Sequence, residues 1–530
     1  MDSVEYLILY YFLNFSASPF LSSFHFDKPI GDYEGSFITV NAVVENGKSL
    51  EDKLRAYTIM IMSLGSQGKM MQAMEAGIET LSLLGIELPL HPSPEDVTSA
   101  LRSTRALLVG KSHNDITAFG IMADEKSIGA MHIMTVLSRY AYVVNPKLMN
   151  ILACYQVKLT CESGLCKDSC YGLAVFGNCL GHSDGSIAKA LNYGKWALAL
   201  VDVLNVRSMV PRCTTVLSDL FFYIEGSQSR LQSQMMAVEV GLRGGDVESA
   251  LTCANLYLFT ALQTGGRPLD KLTDELSRYM KEMTLRKHFA IAVAIPYRQA
   301  LQNFQNSNLK GDPTNITPPQ AGGGGPPARK KGGIVLYREY ILQLMLACFF
   351  RKWDEAKPII KQCDEFRKSH VFESINSQDV EESFLIGIIS AEVIGNCFDE
   401  KEDDIDYSQR VVNAIERFEK WARDGPHFSH RLALLKAEAA FHIDGDHEKA
   451  GPLYEEAIRL AEEHSFVHEL ALACELHAFF QRKAHVDFPK ARQIFQVAKK
   501  HYGKWGAKAK EADMDSCVDK CDVPMSSLWI

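Results

Sequence analysis

Apolar residues recur along this chain at three-then-four spacing, and strand-like alternation is scarce. The clearest case runs from His447 to His464, where Ala450, Leu453, Tyr454, Ala457, Leu460 and Ala461 line one face of a helix. Gly445-Asp446 supplies a turn and an acidic start ahead of it. The preceding segment, Arg431 to Ile443, has Leu432, Leu435, Ala439 and Ile443 at compatible spacing. Two such helices joined by a short loop form an antiparallel hairpin.

The same unit recurs. Second helices carry a small residue, a middle residue four on and another seven on: Ala250/Ala254/Tyr257, Ala356/Ile360/Cys363, Ala450/Tyr454/Ala457 and Ala491/Phe495/Ala498. Their opening turns are alike too: Gly245-Asp246, Trp353-Asp354, Gly445-Asp446 and Asp487-Phe488-Pro489. Small residues let paired helices approach closely, and the larger residue fills the gap towards the next pair. This pattern resembles the tetratricopeptide repeat. The expected fold is all-α, a right-handed solenoid of antiparallel helix pairs, with about seven or eight hairpins at roughly 34 residues each.

Two stretches break the helical spacing. Leu88 to Glu95 carries Pro89, Pro92 and Pro94, while Asn306 to Gly333 contains Gly322 to Gly325 between proline pairs and then Arg329-Lys330-Lys331. Few side chains in the second stretch can be buried, so it reads as a flexible loop or linker. The predicted organisation is a tail over 1–45, helical repeats over 46–305, the linker over 306–333, repeats over 334–508 and a tail over 509–530.

Composition narrows the function classes. The 530 residues are 47% hydrophobic and 23% charged, with a net charge of −9. That balance is ordinary for a globular chain and disfavours nucleic-acid binding, which wants a basic face. Thirteen Cys over this length are too sparse for a disulfide scaffold. A reducing, cytoplasmic setting is expected. The segment Tyr6 to Phe12 is apolar but short, and Asp2 and Glu5 precede it where a signal peptide has basic residues. No membrane partner is expected.

Catalytic signatures are missing. Gly65-Ser66-Gln67-Gly68-Lys69 lacks the spacing and the hydroxyl of a phosphate-binding loop. No kinase HRD or DFG and no HExxH occurs. Cys161, Cys166, Cys170 and Cys179 do not form the paired knuckles of a zinc site. His442, His447, His464, His468 and His477 crowd the C-terminal part without a ligand spacing of that kind. The residues imply no enzyme, no cofactor and no metal. The residues singled out are structural: Ala250, Tyr257, Ala356, Ala450, Tyr454, Ala457, Ala491, Phe495, Ala498 and Trp505.

Three further runs carry a more specific resemblance. They are Ala457-Ile458 with Ala461, His468-Glu469 with Ala471 to Glu475, and Tyr502 to Lys508 with Lys510. Together with Gly77-IETLSLLGIELP they look like the helical region of large multidomain signalling kinases. There it lies between an AAA-type predicted ATPase and a GAF plus histidine-kinase region. The resemblance spans roughly Lys53 to Lys510 and carries over no catalytic residue. It implies a non-catalytic scaffold, holding a peptide or domain in the solenoid groove or coupling modules in signalling. The alternative is a fragment of a multidomain ATPase/histidine or serine/threonine kinase whose catalytic modules lie outside this chain.

Overall fold

The computed structural model describes residue 40 and residues 43–521, except 48, 67–68, 184–186, 287, 289, 309–310, 317–332, 370–376 and 397–404. The N-terminal apolar segment, the glycine run and Arg329-Lys330-Lys331 lie outside the described residues. The chain is all-α. Among the described residues there is no β-strand, and one isolated bridge joins Ile121 and Leu165.

The chain packs as two compact units, Met1–Leu220 with Val240–Val247 and Phe221–Glu239 with Glu248–Ile530.

In the first unit, α1 (Leu50–Ser66) pairs with α2 (Met70–Leu83), followed by α3 (Pro94–Leu108) and the short α4 (His113–Thr117). Then come α5 (Glu125–Val144), α6 (Pro146–Ser163), α7 (Lys167–Ser183) and α8 (Ile187–Val203), the last three each packed on the one before. Helix α9 (Val210–Phe222) follows, and α10 (Ser227–Gly244) lies mostly in the second unit.

The second unit contains α11 (Val247–Thr264), α12 (Leu269–Leu285) and α13 (Ile291–Gln305). Four helix pairs and a last helix follow: α14 (Gly333–Phe349) with α15 (Trp353–Ser369), α16 (Ser377–Asn396) with α17 (Tyr407–Asp424), α18 (Ser429–His442) with α19 (His447–Glu463), α20 (Val467–Ala484) with α21 (Phe488–Trp505), then α22 (Lys508–Asp519). The stretch read as a tail from 509 is thus helical as far as Asp519. It buries Lys510, Met514, Cys517 and Val518.

Local signals set the helix ends. The carboxylates of Asp446 and Asp487 accept the amides of Lys449 and Lys490 at 3.0 and 2.9 Å, satisfying first-turn donors. Several helices close in one way: a left-handed residue, then an amide that donates five residues back. Ile86 donates to Leu81, Val206 to Val201, Lys352 to Ala347, Phe466 to Ala461 and Ala507 to Tyr502. The left-handed residues are Gly85, Asn205, Arg351, Ser465 and Gly506, so glycine marks only two of these closures. Pro358 and Pro452 sit two residues beyond the buried Ala356 and Ala450, a repeat feature of α15 and α19.

Helices α17, α19 and α21 bury one stripe and expose the rest, whereas α11, α16 and α20 are buried nearly all round. The reason lies within the second unit, where residues 222–239 and 248–305 pack against the inner helices. Gln263 donates to the Ser377 carbonyl, His427 to the Phe222 carbonyl, and Phe304 packs on Phe349 and Trp505.

Candidate functional site: buried charge clusters of the C-terminal unit

The singled-out repeat residues Ala250, Tyr257, Ala356, Ala450, Tyr454, Ala457, Ala491, Phe495, Ala498 and Trp505 are all buried, but they are not gathered in one place. The Ala positions sit at helix contacts. Each Tyr anchors a carboxylate: Tyr257 Oη donates to Glu275 at 2.7 Å and Tyr454 Oη to Glu438 at 2.6 Å. Trp505 lies against Phe304 and His468 at ring distances of 5.0 and 5.1 Å.

What concentrates in this unit is charge. Arg431, 2% exposed, donates its Nε to Glu469 at 2.9 Å and Nη2 to Glu381 at 2.9 Å, with a second bond to Glu469. Its guanidinium lies 4.8 Å over the Phe384 ring, and His430 Nε2 also meets Glu469. Two carboxylates facing one guanidinium cannot be equally satisfied. Burial pushes Glu381 up to about 7, while Arg431 and His430 outweigh burial at Glu469 and hold it well below the usual range.

A second cluster explains the conspicuous C-terminal runs. Glu475 accepts Tyr502 Oη at 2.6 Å and Lys510 Nζ at 2.9 Å, and Arg351 also pairs with it. Arg351 binds Asp513 through both oxygens at 2.7 Å, and Lys510 reaches Asp513 at 2.7 Å. The HELALACE and HYGKWGAKAK elements are therefore two halves of one contact. Burial brings Lys510 down to about 7, with Arg351 adding to the effect.

Two further groups complete the set. Arg367 pairs with Glu382, Asp379 and the Tyr337 hydroxyl. Glu392, Glu438 and His442 bring three donor atoms within 4.8 Å of one another. Burial opposes a charge on His442, but the carboxylates of Glu392 and Glu438 raise it to about 9.

Three more buried imidazoles are held neutral by burial. Burial takes His427 down to about 3, and His468 and His477 to about 4. His477 stacks on Tyr454 at 5.4 Å and is hydrogen-bonded to Gln481 at 2.9 Å.

In the first unit, Cys161 is half-buried and Cys166, Cys170 and Cys179 are buried. Burial pushes the Cys170 thiol up to about 12, which suits a small hydrophobe and not a nucleophile. A recess at the end of α13 is lined by Gln299, Gln302, Asn303, Gln305 and Asn306. Those side chains are amides, with no nucleophile or proton carrier among them.

Sequence reasoning quoted Glu469 and Glu475 as motif positions without assigning them partners, and did not single out Arg431, Glu381, Glu392 or Glu438. One signal was available: α16 and α20 have no polar stripe, so charged residues on them have nowhere to turn but inward.

No described helix is long and apolar enough to cross a membrane. No family model matches the chain, and no curated protein matches it. Among solved structures, a Rap protein complexed with Competence and Sporulation Factor aligns over 81% of this chain and 97% of its own, at 11% identity and a TM-score of 0.30.

Proposed function

We propose that this chain is a non-catalytic helical-repeat scaffold for protein–protein interaction in signalling. The observation that carries the reading is the use made of ionisable groups in the C-terminal unit. Arg431 and Lys510 are buried and hydrogen-bonded in pairs, Arg431 to Glu469 and Lys510 to Glu475, instead of facing a cleft. Catalytic groups need access to a reacting atom, and these have none. Charge spent inside the fold sets helix register and leaves outer surfaces for recognition.

Because residues 222–239 and 248–305 pack against the inner helices, the partner surface is assigned to the outward faces of α17, α19 and α21. Exposed positions there include Glu416, Arg459 and Gln496. Cross-linking of the full chain to its purified partner tests this. Links from these three helices are expected, and links from α16 or α20 would overturn the surface. ATP turnover or autophosphorylation by the purified chain would overturn the non-catalytic reading. The second reading, part of a multidomain kinase, rests on the His468–Lys510 runs. Sequencing of the flanking coding region for ATPase and kinase frames decides it.

A further inference from the structure

Most buried charges in the C-terminal unit have hydrogen-bond partners, but one group has orphaned atoms pointing at a common centre. Glu438 and His442 are one turn apart on α18, and Glu392 comes from the neighbouring α16. His442 Nε2 lies 3.4 Å from Glu438 Oε2 and 3.8 Å from Glu392 Oε1. Both His442 Nε2 and Glu438 Oε2 are buried without a hydrogen-bond partner, and Glu438 is 1% exposed.

These separations are too long for charge-assisted hydrogen bonds, which close to about 2.7–2.9 Å. The shorter of them matches the edge of a coordination polyhedron. Two ligands, each about 2.0–2.1 Å from an ion and set tetrahedrally, lie roughly 3.3 Å apart. We infer that Glu392, Glu438 and His442 bind one divalent transition-metal ion of the zinc class, clamping α16 to α18.

The surroundings are those of a held ligand set. The second oxygen of Glu438 accepts Tyr454 Oη at 2.6 Å. The second oxygen of Glu392 accepts Asn396 Nδ2 at 2.7 Å, and Asn396 Oδ1 accepts Lys483 Nζ at 2.8 Å. Such outer contacts orient ligating carboxylates. Gly395 makes room for the ring, since a Cβ there would fall 1.8 Å from His442 Nδ1. The donor set also selects the ion. One imidazole and two carboxylates neutralise a dication and suit zinc, whereas calcium wants six to eight oxygens. Three protein ligands leave a position for water. This inference is independent of the scaffold reading.

The test uses the full chain, stripped with chelator and dialysed, then titrated with zinc or cobalt(II). About one equivalent should bind. Cobalt(II) should give visible absorption of low-symmetry coordination, and zinc should raise the melting temperature. Glu438→Gln and His442→Gln should abolish the absorption and the metal-dependent shift. His447→Gln, which removes the exposed His447–His485 pair, should leave both unchanged. Circular dichroism confirms that each variant is folded. If His442→Gln does not fold, Glu392→Gln replaces it. No retained equivalent in the folded wild type overturns the site, and points to an imidazolium shared by two carboxylates. Loss of binding in His447→Gln, or its persistence in the ligand variants, overturns it equally.

Discussion

The two units close similar helix packing with different interiors. In the first, buried polar side chains are mainly hydroxyls and amides satisfied close to home. Thr135 and Ser138 donate to carbonyls four residues back, and Gln156 bonds Met131 and Thr135. Cys154, Cys170, Cys179 and Cys213 are buried there as small hydrophobes. Its buried carboxylate, Asp168, faces His132 at 3.5 Å. The second unit instead ties helices far apart in sequence through Arg431, Arg351, Arg367 and Lys510. Shape therefore governs the first interior, while the second depends on charges remaining in pairs. A buried ion pair adds little over a good apolar fit, but breaking one is costly.

That contrast can be broken most severely at Arg431. Arg431→Met strands Glu469 and Glu381 together and should cost about 3–5 kcal/mol in urea unfolding of the C-terminal unit. Adding Glu469→Leu should restore much of the loss. If the single variant is near neutral, the charge network does not hold this unit. The matching experiment in the first unit is steric. Gly164 has φ +100°, and an added Cβ would meet the Gly120 carbonyl oxygen at 2.3 Å, beside the Ile121–Leu165 bridge. Gly164→Ala should cost roughly 2–3 kcal/mol by thermal melting, combining backbone strain with a backbone clash.

Acid should separate the units by charge alone. His427, His468 and His477 stay neutral in the fold down to about 3, 4 and 4, while an unfolded chain protonates them near 6.5. Unfolding then takes up protons, so their stabilisation is complete above that pH and drains away as pH falls from 6.5 towards 4. Glu381, raised to about 7, acts in the opposite sense between 4.5 and 7. The net uptake is on the order of one to two protons, or roughly 1–3 kcal/mol per pH unit. Hydrogen exchange should show α16, α18 and α20 opening in this window before α5 to α7. In the first unit Asp168 is lowered: burial works against it, but His132 prevails. Its contribution is present above the unfolded value near 3.8 and is lost only below that.

Smaller changes sharpen the picture. Tyr502→Phe removes one donor from Glu475 and should cost about 1.5 kcal/mol in chemical denaturation. The cap variant Asp446→Ala should cost about 1 kcal/mol by the same measurement, leaving the charge clusters intact.

Much of the helical framework was legible. Gly445-Asp446 and Asp487 mark helix starts that the structure confirms as capped turns, and Ala450, Tyr454 and Ala457 occupy the buried stripe of α19. Other closures were hidden, because Arg351 and Ser465 adopt the left-handed conformation where glycine would have announced it. The helix from Lys508 was obscured by the charge of KAKEAD, whose Lys510 points inward to Glu475.

Local chemistry thus settled where helices begin, which stripe of each is apolar and that pairs repeat. Periodicity and capping act within a turn or two, so they can be read from neighbours in the chain. Sequence alone could not place Glu469 against Arg431, 38 residues away, or Glu475 against Lys510, 35 away. Nor could it show that Glu392 meets Glu438 and His442. A buried charge is stable only beside its partner, and only the packed chain decides which partners meet.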